Sequence, residues 1–431
     1  MEIEPIWGRW EINKDFPLSE GQVEIDGKYI KFHFTDYQHG LNRFNAKYEK
    51  VISIDTNKGP VTLLHLDGPG WSLNPANNYK RYTYFVQNLL IGTNITEFDT
   101  VCFQLDNLTK AFRKQINSNY KQLKKQRNII LKLEEETLKV GTTQYEIEII
   151  SRTLQSVRDM AHSYIPSVSV KLKFDMVQSI DKIIHHIESI TELSAFLTNQ
   201  YSLPKEISLF NTELSDHILT KLISQHFFGE EKLYDHIQPL FSIKKEKSIT
   251  KNILKKWPDT YHKNNIYFNI FNSNKKQNQQ YLDNIFFNTA TIIDNKLQNI
   301  YGKKLKKDLY SDVPYTYIKE RLSNPKNKYS HFKDRLLKHL YSRKEVLNHS
   351  LHAPFSQIKI PNKLQKEQNE FITDLIIDTR NDIAHGSKRK YSDYLWQIWK
   401  MTWIITLDLL LIELGLTSKQ AKEIISNQNL N

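Results

Sequence analysis

The sequence predicts an α+β protein: a β-rich N-terminal region followed by an all-α C-terminal helical bundle. Three observations carry that expectation. Apolar and polar residues alternate through Ile30-Lys31-Phe32-His33-Phe34, the two-residue period of a half-buried strand. Turn-forming Asp26-Gly27 and Asn57-Lys58-Gly59-Pro60 stand between runs of this kind. From Tyr281 onward the apolar residues recur at helical spacing instead, through Ile285, Phe286, Ile292, Ile293, Leu297 and Ile300. A chain of 431 residues has room for two or three domains. The boundary is placed near 275, giving regions 1–275 and 276–431.

Taken in order, residues 22–25 and 28–34 pair across a two-residue turn at Asp26-Gly27. Residues 50–55 and 61–66 form a second hairpin, and 82–86 and 101–105 extend the β pattern. The aromatics Trp7, Trp10, Tyr82 and Tyr84 suit either a core or a binding face. Residues 107–135 turn helical and basic, with Lys110, Arg113, Lys114, Lys121, Lys124, Lys125 and Arg127, which suits a solvated face or contact with RNA phosphates. Residues 167–174 read as a strand and 178–199 as a helix. Within that helix His185 and His186 are adjacent and so point to different sides, as surface histidines do and a metal pair does not. Few signals mark 202–275, where Lys244-Lys-Glu-Lys247 and the polar stretch 272–279 read as loops or a boundary. Residues 281–301 open the bundle, 317–322, 332–341 and 365–384 continue it, and Ser392 or Asp393 caps the last helix.

A hydrophobic content of 39% is enough for packed cores at this length. The net charge of +12 favours an acidic partner such as nucleic acid. A single cysteine, Cys102, allows neither an internal disulfide nor a thiolate zinc site. The N-terminus lacks the basic start and apolar run of a signal peptide. Residues 394–414 are the most apolar stretch, but Lys400, Asp408 and Glu413 disfavour a membrane span. That stretch is expected to be a helix buried on most sides, in a subunit interface, and the protein to be cytoplasmic. No Walker-type glycine loop, dinucleotide fingerprint or His-Glu-x-x-His motif is present.

The stretch richest in chemistry is Thr379-Arg380-Asn381-Asp382-Ile383-Ala384-His385-Gly386, followed by Lys388-Arg389-Lys390. Histidine exchanges protons near neutral pH, arginine is a permanent cation whose planar fork fits phosphate oxygens, and asparagine both donates and accepts. This donor set, without a carboxylate cage, suits phosphodiester cleavage that needs no metal. A second arginine–histidine pair occurs at Arg343 and His349, but the first pair is set apart by its surroundings. Ile372, Leu375, Ile376, Thr379 and Ile383 fall on one helical stripe, and Gly386 reads as a C-terminal cap. On an ideal helix the side chains of Arg380 and His385 stand roughly 140° apart. They meet at one phosphate only if the helix unwinds there or a second subunit supplies a second copy. Both also suit a last turn as cations favoured by the helix dipole.

Arg-Asn-x-x-Ala-His-Gly with a basic turn and a final apolar helix resembles the signature of HEPN domains. More closely, the chain resembles the ApeA-like HEPN proteins of bacterial anti-phage defence. The opening Gly8-Arg9-Trp10, the strand with Gly21, and residues 101–105 leading into Asn107-Leu108 resemble the ApeA N-terminal domain. The resemblance implies a HEPN-type helical bundle at 276–431 and a sensing or regulatory N-terminal region. It also implies a metal-independent endoribonuclease toxin without cofactors, acting in abortive infection with its active site at a homodimer interface. Residue by residue, Arg380, Asn381 and His385 carry the catalytic roles, and Lys388, Arg389 and Lys390 hold RNA. The partners expected are RNA, such as tRNA or phage or host mRNA, a second copy of the chain or a higher homo-oligomer, and a phage-derived trigger, with no membrane.

Two rival readings stand beside this one. A non-catalytic HEPN module for dimerisation or RNA binding would share the same bundle. A metal-dependent nuclease would use Pro258-Asp259 with Asp294-Asn295-Lys296, a loose form of the Pro-Asp…Asp-x-Lys pattern that needs its second half on a strand.

Overall fold

Alternation of the kind seen at residues 30–34 buries one face of a strand and leaves an edge to be paired, and the N-terminal strands solve both needs by closing on themselves. The computed structural model describes residues 4–12, 19–36, 48–74, 79–111, 136–158, 161–213, 219–229, 231, 239–243, 246–276, 282–301, 379–380, 382–384 and 395–428. The chain divides into two compact units, Met1–Ile237 and Gln238–Asn431.

In the first unit, β1 (Ile6–Glu11), β2 (Ser19–Ile25), β3 (Ile30–Asp36), β4 (Tyr48–Thr56), β5 (Val61–Asn74) and β6 (Tyr79–Ile91) run antiparallel in the order β3-β2-β1-β4-β5-β6. A further pairing of β3 with β6 closes them into a barrel. Inside lie Trp10, Phe32, Phe34, Tyr82 and Tyr84, each at most 1% exposed. Phe34 stacks on Tyr82 at 5.3 Å and on Tyr84 at 5.8 Å, and Trp10 meets Phe32 edge-on at 5.0 Å. Of the four aromatics left open between core and binding face, three are therefore core and Trp7 is 58% exposed.

Gly8 and Gly21 oppose each other between β1 and β2. A Cβ on Gly21 would come within 2.7 Å of the Phe32 ring, and one on Gly8 would collide with the Asp55 carbonyl. Both positions need glycine because the neighbouring chain approaches too closely for any side chain. The first hairpin differs from the two-residue turn expected. Ile25 pairs with Ile30, so the loop spans 26–29. The Asp26 carboxylate accepts from the backbone N–H of Lys28 and Tyr29 at 3.0 and 2.7 Å, an Asx-type staple that favours the longer loop. A hydrogen bond from Lys31 and those two backbone donors hold this carboxyl down at about 2.

β7 (Glu97–Leu105), β8 (Glu136–Gly141), β9 (Glu146–Arg158), β10 (Ala161–Ser179), β11 (Pro204–Phe210) and β12 (Thr220–Ser224) continue the sheet in the order β6-β12-β11-β7-β10-β9-β8. β6 thus serves twice: residues 80–86 pair with β3, and 88–91 pair with β12. Helix α1 (Ile180–Thr198) lies against β7 and β10 through Ile180, Ile183, Ile187 and Ile190. It ends where Asn199 takes the left-handed conformation at φ 55, as a C-terminal stop does.

Asn107 is buried and His186 half-buried in this unit, in contrasting surroundings. Asn107, fully buried after β7, donates to Thr198 Oγ1 at 3.1 Å and the Gln200 carbonyl at 2.7 Å. Its Oδ1 accepts from Ser194 and Ser202 hydroxyls at 2.8 and 3.0 Å and from Leu108 N–H at 2.8 Å. One amide thereby ties the end of β7 to the end of α1. His186, expected at the surface, is half-buried against Tyr145 at 5.2 Å and Phe174 at 5.1 Å. The strand pair beneath α1 covers the helix further round than its apolar stripe implied. Burial, with His185 and Lys182 adding, pushes the His186 pKa down to about 4.

The second unit contains α2 (Lys247–Lys276), α3 (Leu282–Tyr301), α4 (Leu395–Glu413) and α5 (Ser418–Ser426). The boundary expected near 275 falls instead at 237/238. The reason is that α2 makes its partners among later helices. Phe271 stacks on Trp403 at 6.3 Å, and Thr260 and Asn264 donate to the Glu413 carbonyl and carboxylate at 3.4 and 3.3 Å. Gln428 also donates to the Leu240 carbonyl at 2.7 Å, fastening the segment before α2 to the end of α5. Asn272, read as part of a loop, is fully buried inside α2. Residues 402–411 of α4 are buried throughout, in keeping with a helix covered on most sides. No helix among the described residues is long and apolar enough to cross a membrane. The helices expected at 317–322 and 332–341, most of 365–384, and the cap at Ser392 or Asp393 lie outside the described residues, as does 112–135.

Two stability predictions follow from the buried polar groups. Asn107→Leu strands several buried donors and should lower unfolding stability by about 3 kcal/mol, read from a urea denaturation midpoint. His186 is neutral in the fold, while the unfolded chain takes up its proton near the ordinary histidine value of 6.5. Stability should therefore fall as pH drops from 6.5 to about 4, and His186→Phe should flatten that decline relative to the wild type.

Candidate functional site

α3 sets up the position that matters. Its inward stripe places Phe286 and Ile292, both fully buried, together with Thr289. Thr289 returns its hydroxyl to the Ile285 carbonyl at 2.7 Å, and Thr406 of α4 donates to the Thr289 carbonyl at 3.5 Å. With Phe286 committed to the interior, Phe287 falls on the flank of the helix and is half-buried. There its ring meets Arg380, whose guanidinium carbon lies 5.3 Å from the ring centroid.

Residues 379–380 and 382–384 are helical, as the periodicity predicted. Thr379 is buried, Arg380, Asp382 and Ile383 are half-buried, and Ala384 is exposed. The segment therefore turns from interior to surface across the motif, with Arg380 at the crossing. A guanidinium stacked on a ring engages its π face, whereas its N–H edge is the part that grips oxyanions. Phe287 thus gives the Arg380 guanidinium an aromatic surface to pack on at the flank of α3. Asn381, His385, Lys388, Arg389 and Lys390 lie outside the described residues.

The rival nuclease pattern does not survive the fold. Pro258 and Asp259 sit within α2, and Asp294, Asn295 and Lys296 within α3. The second half of that pattern needs a strand and has a helix. Among the described residues no group of three or more histidine, cysteine or acidic side chains is arranged to hold a metal ion.

Phe287 escaped the sequence reading. Its signal was the doublet Phe286-Phe287: adjacent helix positions point about 100° apart, so only one of the two can occupy a narrow inward stripe. Which cation would cover the other was not readable, because Arg380 reaches it only through tertiary packing.

A family model described as ApeA N-terminal domain 1 matches residues 8–257. No curated protein and no solved structure matches the chain. The matched segment opens at Gly8 and takes in Gly21 and Asn107, the two glycines of close strand contact and the buried amide that joins β7 to α1. It runs past the boundary between the two units and into α2. Since the match spans more than half of the chain, this protein belongs to the ApeA family, with the closed barrel and its extended sheet lying within the family's N-terminal domain 1.

Proposed function

We propose that the chain is a metal-independent endoribonuclease toxin of abortive infection. ApeA membership points to a setting in anti-phage defence. The observation that carries the enzymatic reading is Arg380-Asn381-x-x-Ala384-His385 ahead of the basic run Lys388-Arg389-Lys390, with the Arg380 guanidinium packed over the Phe287 ring.

The substrate supplies its own nucleophile. The ribose 2′-oxygen attacks the adjacent phosphorus while His385 takes the 2′-hydroxyl proton. The P–O5′ bond breaks, and a protonated His385 from a second copy of the chain delivers a proton to the leaving 5′-oxygen. The products are a 2′,3′-cyclic phosphate and a 5′-hydroxyl. General acid–base work of this kind contributes typically about 10²–10⁴-fold. Arg380 offsets the charge that builds on the non-bridging oxygens, and Asn381 orients the phosphate or the imidazole. Lys388, Arg389 and Lys390 hold the backbone without reading sequence. The N-terminal unit acts as the sensor that restrains the helical unit until a phage-derived trigger arrives, and the protein works in the cytoplasm on tRNA or mRNA.

His385→Ala and Arg380→Ala should each abolish new RNA ends in expressing cells. Purified enzyme should keep its rate in EDTA and leave DNA intact, since DNA lacks the 2′-hydroxyl. Cleavage by His385→Ala at the wild-type rate would end this reading, and RNA binding without cleavage in the presence of trigger would favour a non-catalytic module. Phe287→Ala should slow cleavage about fivefold, the equivalent of one cation–π contact near 1 kcal/mol, while Phe287→Trp should retain activity.

A further inference from the structure

One face of the barrel is built differently from the rest. Along β1, β2, β3 and β6 the residues that alternate with the core point outward, and the register lines them up in rows. Trp7 opposes Gln22, Gln22 opposes His33, and His33 opposes Thr83. In the adjacent row Arg9 opposes Glu20. Arg81 opposes Thr35 on the far side. Together Trp7, Arg9, Glu20, Gln22, His33 and Arg81 line an open hollow of about 440 Å³, within the roughly 300–1,000 Å³ range of small-molecule sites.

The chemistry of the lining is specific. Trp7 is 58% exposed, while Trp10 on the same strand is fully buried. The Trp7 backbone is pinned on both sides: its N–H donates to Asn57 Oδ1 and its carbonyl accepts from Asn57 N–H, each at 3.1 Å. An indole carried on a pinned backbone and left in water offers a stacking platform for a flat apolar ring. Arg9 reaches Asp55 through Nη2 at 3.4 Å, and both side chains are more than half exposed, a weak pair that an oxyanion can displace. Glu20 is exposed beside Arg9 and offers acceptors for sugar hydroxyls, as acidic side chains do in dinucleotide sites. At the floor, His33 Nδ1 is 2.8 Å from Thr83 Oγ1 and Nε2 is 3.4 Å from Glu24. Burial first, then Arg81, holds this imidazole below its ordinary range, so it meets a ligand as a neutral hydrogen-bonding group.

A planar platform, two guanidiniums and a carboxylate within one hollow match the three parts of one molecule. We propose that this face of the barrel binds a nucleotide, free or as one unit of a single strand, with its base on Trp7, its ribose at Glu20 beside Arg9 and its phosphate at Arg81. The site belongs to the N-terminal unit and does not depend on the nuclease reading. It gives that unit a ligand of its own.

The test uses full-length protein, with ADP, a twelve-residue oligothymidylate DNA and inorganic phosphate as probes. DNA serves because the proposed chemistry cannot cut it. Binding is followed by calorimetry, and by quenching of tryptophan fluorescence. ADP or the oligonucleotide should bind saturably below about 1 mM, with phosphate alone much weaker. Trp7→Ala should weaken binding about tenfold and remove the quench, in line with the loss of one stacked base, with its melting temperature unchanged. Arg81→Ala should weaken binding and flatten its salt dependence. Tighter binding of the oligonucleotide identifies a single strand as the source, and tighter binding of ADP a free nucleotide; either supports the site. No binding of either probe, or binding that Trp7→Ala and Arg81→Ala both leave unchanged, overturns it. Neither result bears on cleavage by His385, which the Arg380 and His385 variants test separately.

Discussion

Pairing of β3 with the first half of β6 is the constraint on which the N-terminal unit depends. It places Phe32 opposite Tyr84 and Phe34 opposite Tyr82, so the ladder that closes the barrel also assembles its aromatic core. Cross-strand pairs of this kind contribute roughly 0.2–1 kcal/mol each, and here they come with full burial of all four rings. Closure also removes two free edges that would otherwise invite pairing with another chain. The glycines at 8 and 21 follow from it, because a ring drawn this tight leaves no room for a side chain where β1 passes β4 and β2 crosses the core.

The same geometry explains how far the sequence could be read. One-sided burial writes a period of two into β2, β3 and β6, and those strands were legible. The closure itself was not, since nothing local in residues 30–36 names residues 80–86 as partners. Residues 202–275 were opaque for identifiable reasons. β11 carries an irregularity between Lys205 and Ser208, with Glu206 at φ 50, which breaks the alternation. α2 contains Pro258 and buries Asn264 and Asn272, so its inward stripe is interrupted by residues that read as loop. Trp257 and Phe268 on this helix have ring centroids 4.8 Å apart, although a straight helix would separate their backbones by about 16 Å. The helix must bend between them, and Pro258 admits a kink there without stating how far the helix turns.

The candidate catalytic site was legible as chemistry and not as support. Arginine, asparagine and histidine at fixed spacing state what can be done to a phosphate, and the periodicity around Thr379 placed Arg380 on a helix. The ring that steadies Arg380 belongs to another helix and becomes visible only once Phe286 has taken the inward position beside it. The hollow on the barrel was harder still. Trp7 and Trp10 look alike in sequence, and a single step of register decides which one faces water.

Because β6 belongs to the barrel along 80–86 and to the open sheet along 88–91, its length is not free to drift. One residue inserted between Val86 and Asn88 would turn every later side chain of the strand to the opposite face, displacing the buried Asn88, Leu89 and Leu90 and breaking register with both β5 and β12. Loops elsewhere in this unit can lengthen over evolutionary time at little expense. This strand acts as a ruler, and variation in the family should accumulate around it while leaving its count of residues alone.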